Sequence, residues 1–484
     1  MANIFVPSPN TTTLGTDSND TIVLNTGLQV TVQGLAGNDV ITASAGGVSN
    51  FTLVRLNGGE GNDTIAFSAS EAGDNANASF LGGAGNDVVS ADNGTFTASL
   101  IQGGGGNDTI VLSAGNWVAG STIGSNAGDD LITASAYRVT TSLIGAGAGN
   151  DTIILSAGAT FQNATIAGGG GNDTISAGGA FTGSVQIKGD EIGTIGNDTI
   201  VLSAVGNAAS AALVQGAGGA DRFTIGSFVG TGATINGNYG KDSIVVSANG
   251  IESAGMLIGG GAGADTITLS AVINTGDFDT YATVQGGGGT DLITIDAAAR
   301  SHSFTGGANN TAVMVFGGAG ADTILLDAAG ASDSGTYTAN GYLRYDAFSE
   351  SNITTTDVVS AFSGAAGNAL DETNSGNAIV VTQDVADMTL LTQSVSGTYT
   401  VANGKITEAN WFGNQTDISA RITFLDSIVE QGKTVVLEGI GGTDYLFVQG
   451  GAAGSGIEGD LLVQLGNQVA SASIASVSAV TLTI

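Results

Sequence analysis

One aspartate returns along most of this chain at a nearly constant interval, and that return decides what the polypeptide can fold into. The triplet Gly-Asn-Asp ends at Asp39, Asp63, Asp87, Asp108, Asp151, Asp173 and Asp198. Variants keep the aspartate and change the residue before it, at Asp130, Asp221, Asp242, Asp265, Asp291 and Asp322, and a degenerate first copy is Ser18-Asn19-Asp20. Successive aspartates lie mostly 21 to 25 residues apart. Self-similarity at such a period is the mark of a stacked architecture, in which each repeat is one unit that buries its apolar face only against its neighbours.

The register inside a unit is tight. Two residues after the aspartate stands an apolar side chain, as in Ile41, Ile65, Val89, Ile110 and Ile132. Seven residues before it stands another, as in Val32, Leu56, Phe80, Ile101 and Ile123. The approach to Asp198 is longer and puts Glu191 at that second place, the one break in the column. Polar residues alternate around the apolar ones, as in Asp108-Thr109-Ile110-Val111-Leu112, which predicts strands with one buried face. Glycine number then separates the remaining alternatives. The chain has 80 glycines and 2 prolines, so collagen is excluded, and its 42% hydrophobic content excludes a flexible linker. Glycine serves tight turns between short strands. Each unit therefore reads as strand, glycine turn, strand, variable turn, and the second turn is too short for a helical crossover. The expected fold is all-β, a parallel β-roll or β-helix solenoid of about fourteen coils at strand spacing, ~4.8 Å.

The fullest turns are Gly103-Gly104-Gly105-Gly106-Asn107-Asp108, Gly168-Gly169-Gly170-Gly171-Asn172-Asp173 and Gly286-Gly287-Gly288-Gly289-Thr290-Asp291. They match the G-G-x-G-x-D-x-U-x nonapeptide, so the chain resembles the RTX family of calcium-binding proteins over roughly residues 15 to 330, and bacterial surface-layer proteins of the RTX kind most of all. The resemblance implies Ca2+ held between turns of adjacent coils. The implied ligands are Asp39, Asp63, Asp87, Asp108, Asp130, Asp151, Asp173, Asp198, Asp221, Asp242, Asp265, Asp291 and Asp322. They act with the turns at Gly59, Gly61, Gly83, Gly85, Gly104, Gly106, Gly169, Gly171, Gly287, Gly289, Gly318 and Gly320. Many family members carry two nonapeptides per coil; this chain carries one, so several ions in one main file are expected. The turns at Asp198 and Asp242 depart furthest from the pattern, lacking the double glycine or carrying Lys241. The competing reading is that these aspartates only cap turns by accepting hydrogen bonds from backbone amides. A column of carboxylates at strand spacing repels itself by about 1 kcal/mol per pair even in water, which bound cations offset and caps alone do not.

Beyond residue 335 the period stops and aromatic residues return, among them Tyr345, Phe362 and Trp411. The expected division is an N-terminal extension at 1–15, the solenoid at 16–335, a capping segment at 336–370 and a small β-rich assembly and secretion domain at 371–484. Asp357-Val358-Val359-Ser360-Ala361-Phe362 looks like the element that closes family β-rolls, and an end cap is required because an open stack exposes strand edges.

The net charge of −33 disfavours nucleic acid and anionic membranes as partners, and no stretch is long and apolar enough for membrane insertion. The one histidine, His302, has no metal-ligand partner at useful spacing, and no H-E-x-x-H or G-x-S-x-G motif occurs, so no enzyme is expected. Met1 to Leu14 lacks the pattern of a cleaved leader, which fits the family's type I secretion. The function expected from sequence is a calcium-dependent structural protein at the bacterial cell surface. It would assemble with copies of itself into a layer, sheath or filament, with cell-surface polysaccharide as a second partner. A calcium-dependent adhesin or matrix protein is the alternative.

Overall fold

A computed structural model of the 484-residue chain describes residues 2–326 except 7–9, 25–28, 45–51, 69–73, 114, 119, 136–137, 157, 192, 204–211, 227–231, 248–254, 271–281 and 296–310. Past 326 it describes 339–345, 357–360, 378–381, 389–390, 400–402, 405–407, 425–426, 429, 433–437, 444–449, 460–465, 476–478 and 481–483. His302, Phe362 and Trp411 lie outside the described residues. The chain divides into two compact units, Met1–Tyr239 and Gly240–Ile484.

In the first unit, each strand that follows a motif aspartate pairs in parallel with its counterpart one coil on. Thr64–Ser68, Val88–Asp92, Thr109–Leu112 and Leu131–Ala134 are consecutive rungs. The register is one to one: Ile41 on Ile65, Ile65 on Val89, Val89 on Ile110, Ile110 on Ile132, and onward to Ile200 on Phe223. A second sheet stacks the strands that precede the aspartates, such as Arg55–Glu60, Ser79–Ala84 and Leu100–Gly105. It places Leu56, Phe80, Ile101 and Ile123 in one column. Both columns are fully buried. Each buried Ile or Leu contributes about 1.5–3 kcal/mol by leaving water, and stacking like on like keeps each coil's width equal to its neighbour's.

Two features differ from the sequence reading. The turn read as variable contains a third parallel sheet, with strands Asp74–Ala76, Thr95–Thr97, Asn116–Val118, Arg138–Thr140, Thr160–Gln162 and Ala180–Thr182. Its buried column runs through Phe96, Trp117, Val139, Phe161 and Phe181, and Phe96 stacks on Trp117 at 4.2 Å between ring centroids. These coils are therefore three-sided. The column also does not break before Asp198: Ile187 fills it between Ile166 and Val214, and the extra residues fall in the turn beyond.

The second unit repeats the arrangement. Ile244, Ile267, Ile293 and Ile324 stack in one sheet, and Ile258, Val284 and Val315 in the other. The parallel stack continues beyond 335 through Ala339–Tyr345, Asp357–Ser360 and Ala378–Val381. Asp357–Ser360 carries Thr323–Leu326 on one side and Leu461–Leu465 on the other. Leu461–Leu465 belongs to an antiparallel ribbon with Asp444–Val448 and Lys433–Leu437. Parallel stacking thus gives way to antiparallel pairing at the strand edge that a solenoid end would otherwise present to solvent.

Candidate metal centre

The glycine turn sits where the second-sheet strand hands over to the first-sheet strand. At the glycines in the second and fourth places of these turns, such as Gly59 and Gly61, Gly104 and Gly106, Gly169 and Gly171, and Gly318 and Gly320, φ is positive, between 100° and 145°. An L side chain rarely adopts that conformation. Where the repeat lacks the first of these glycines the backbone keeps the same form: Leu35, Asn126, Ala217 and Asn238 all have positive φ. Coil geometry, imposed by neighbours above and below, overrides local preference there.

All thirteen motif aspartates named above are buried, none more than 4% exposed. They form a ladder. The Asp39 amide donates to Asp63 Oδ1 at 2.7 Å, the Asp63 amide to Asp87 Oδ1 at 2.7 Å, and the Asp87 amide to Asp108 Oδ1 at 2.8 Å. The pattern continues in the first unit to Asp198 donating to Asp221 Oδ1 at 2.8 Å. In the second it runs from Asp242 through Asp265 and Asp291 to Asp322. One oxygen of each carboxylate is therefore a cap, as the simpler reading held. The other is not: Oδ2 of Asp39, Asp63, Asp87, Asp108, Asp151, Asp173, Asp198, Asp265 and Asp291 is buried without a hydrogen-bond donor.

Leaving a buried carboxylate oxygen without a donor is costly, and the carboxyl groups register it. Burial, opposed by the ladder hydrogen bond and assisted by neighbouring aspartates, pushes Asp63 up to about 6, Asp87 and Asp151 to about 7, and Asp291 to about 7. Asp20 is the contrast. Its Oδ1 accepts from the Ala2 amide at 2.7 Å and its Oδ2 from the Thr16 amide at 2.6 Å and the Thr16 hydroxyl at 2.8 Å. Its pKa is lowered, with the Ala2 amide the largest cause. Asp20 is a complete cap with no oxygen to spare.

The spare Oδ2 of Asp39, Asp63, Asp87, Asp108, Asp173, Asp265 and Asp291 faces the glycine five residues before it, Asp198 Oδ2 faces Gly189, and in the Asp151 turn Ala146 stands at that place. A Cβ built on Gly58 would collide with Asp63 Oδ2 and with the Gly82 carbonyl of the next coil. The same pair of oxygens bounds Gly82 (Asp87 Oδ2, Gly103 O), Gly260 (Asp265 Oδ2, Gly286 O) and Gly286 (Asp291 Oδ2, Gly317 O). Carboxylate and glycine carbonyl from successive coils thus converge, and the donors are all hard oxygens with no nitrogen or sulfur. This set fits Ca2+, which takes six to eight oxygen ligands at about 2.3–2.6 Å. Among the described residues no three acidic or histidine side chains converge on one point, so backbone carbonyls would supply most of each shell.

The sequence reading missed a second ladder on the outside of the same turns. The Asn62 amide donates to Asn38 Oδ1 at 2.9 Å, Asn86 to Asn62 at 2.8 Å, and Asn107 to Asn86 at 2.9 Å, through Asp129, Asn150 and Asn172 to Asn197. These side chains accept from the following coil, whereas the aspartates accept from the preceding one, so each turn is stitched in both directions. The signal was the asparagine of the Gly-Asn-Asp triplet. In the second unit Lys241, Ala264, Thr290 and Ala321 stand at this position.

No curated protein matches the chain. The family model of the RTX calcium-binding nonapeptide repeat matches it in four copies, at residues 31–47, 55–68, 98–116 and 159–180. Those segments hold the turns at Asp39, Asp63, Asp108 and Asp173, each with the buried ladder and the glycine corner described above. Repeat and parallel solenoid together identify the chain as an RTX β-roll protein.

Proposed function

We propose that this protein is a calcium-dependent structural protein of the cell exterior, which assembles with copies of itself and performs no catalysis. The observation that carries the calcium part is the file of buried Oδ2 atoms without donors, which at Asp39, Asp63, Asp87, Asp173, Asp265 and Asp291 meets a glycine carbonyl of the next coil. RTX repeats are calcium-binding and typical of secreted proteins. Extracellular calcium modules bind at about 10⁻⁴–10⁻³ M, so the ions load outside the cell and stay off inside it.

Self-assembly is supported by where charge is missing. The chain carries −33 formally, yet many of its aspartates are spent inside the turns. The outward positions of the first sheet in the first unit are rows of small and β-branched residues such as Thr109, Val111, Thr152, Ile154, Thr199 and Val201. Their charged members are Arg222 and, at a strand end, Asp92. A long flat face of this kind presents little repulsion to a second copy. Electron microscopy and light scattering of the full chain, with calcium and with chelator, test the proposal. Sheets, tubes or filaments that form with calcium and dissolve with chelator support it. Dispersed particles that bind cells or sugars in calcium replace it with an adhesin.

A further inference from the structure

The coil at 186–198 departs from every neighbour. Where the preceding coil reads Gly168-Gly169-Gly170-Gly171-Asn172-Asp173, this one reads Gly189-Asp190 and reaches Gly196-Asn197-Asp198 only after five further residues. Asp190 pairs in register with Gly169, so a carboxylate occupies a place that a turn glycine holds one coil earlier. The register with the following coil stops at Lys188 on Gln215, whereas other coils stay paired into the turn, as in Gly104 on Asn126 and Ala217 on Asn238. The strand register is therefore interrupted beside Asp190, and the Gly218 amide of the following coil lies against its carboxyl instead.

Asp190 is 1% exposed. Its Oδ2 accepts from the Gly196 amide at 2.9 Å, the Gly218 amide and the Thr194 hydroxyl also lie against the carboxyl, and its Oδ1 is buried with no donor at hydrogen-bond distance. Asp198, also 1% exposed, gives Oδ1 to the Asp173 amide at 2.8 Å and keeps Oδ2 without a donor against Gly189. Thr194 is tied to the preceding coil: its hydroxyl lies 2.8 Å from both the Gly169 and the Glu191 carbonyl oxygens. Two buried carboxylates stand in this one turn, each with an oxygen that has no donor at hydrogen-bond distance.

Buried charge without a partner is paired, protonated or metal-bound. We propose that the turn at 189–198 is a cation site of its own class, in which Asp190 and Asp198 together hold one Ca2+ through their free oxygens, with Asp190 a ligand that the repeat itself does not supply. The proposal rests on the calcium reading above and goes beyond the expectation from sequence, which kept Asp198 as a ligand but placed its turn among the furthest from the repeat pattern. A second carboxylate compensates for the missing glycine, and affinity rises with the number of charged ligands.

The test is calorimetric titration of Ca2+ into the metal-stripped full chain, with Tb3+ luminescence as a second readout, on wild type, Asp190→Asn, Asp190→Gly and, as an ordinary turn, Asp87→Asn. Asn at 190 retains an acceptor for the Gly196 amide, and Gly restores the residue type of the preceding coil, so failure of one variant to fold leaves the other. The expected result is one tight class of site in wild type, weakened by about tenfold or more in both 190 variants and untouched in Asp87→Asn. An unchanged tight class in the 190 variants, with Asp87→Asn losing an ordinary site, overturns this inference alone and makes Asp190 a bridging cap. No calcium binding by folded wild type overturns both readings.

Discussion

Replacing Asp87 by Asn separates a turn cap from a metal ligand, because the two roles fall on different oxygens. Asp87 Oδ1 accepts from the Asp63 amide at 2.7 Å, while Oδ2 is buried without a donor and faces Gly82. Asn retains the first acceptor and substitutes an amide NH2 for the second. If the residue only caps, removing a carboxyl that burial has already pushed up to about 7 is neutral or stabilising, with calcium or without. If Oδ2 binds an ion, the variant loses stability in calcium alone. For a site of Kd about 10⁻⁴–10⁻³ M at about 10 mM calcium, mass action supplies about 1.4–2.7 kcal/mol. Asp87→Ala serves as the companion, since it also strands the buried Asp63 amide at about 1–3 kcal/mol in either buffer. Urea unfolding followed by circular dichroism at pH 8, in calcium and in EDTA, reads the difference. Asp87→Asn should unfold before wild type in calcium and no earlier than wild type in EDTA. An equal shift of the midpoint in both buffers would refute the ion.

Further outcomes follow from the same geometry. In EDTA, stability should be greatest at low pH: burial pushes the folded carboxyls up to about 6 to 8 from an ordinary value of 3.8, so the folded form holds more protons and loses stability as pH rises from about 4 to 8. Thermal melts in EDTA across that range check it, and a midpoint that rises with pH contradicts it. Calcium affinity should rise with pH over the same window, because protons and Ca2+ compete for one carboxylate, and calorimetry at pH 6 and pH 8 measures this. Gly82→Ala should cost about 1–3 kcal/mol and weaken calcium binding, since its methyl enters the space between Asp87 Oδ2 and the Gly103 carbonyl; unchanged calcium titration would dismiss that space as a site. Trp117→Ala should cost about 3–5 kcal/mol by opening a fully buried column, and a near-native urea midpoint would show that the third sheet contributes little.

The repeat made much of this molecule readable before any coordinate. A strict interval between aspartates, with isoleucine at a constant offset, permits one arrangement: parallel coils in register, because any slip would turn Ile65 or Ile110 outward. The stacking of the aspartates and the glycine corners followed from the same count; the burial of those aspartates did not. Three things did not. Asn116–Val118 and its partners are three residues long, too short for an alternating pattern, and they become a sheet only because successive coils place Phe96 on Trp117. Ile187 hid behind an insertion, since counting back seven residues from Asp198 assumes a turn of constant length, whereas packing requires only that an apolar group reach the column. The direction of the hydrogen-bond ladders was invisible as well. Which oxygen of Asp87 is used and which is spare depends on an amide 24 residues away, a relation created by stacking and by nothing local.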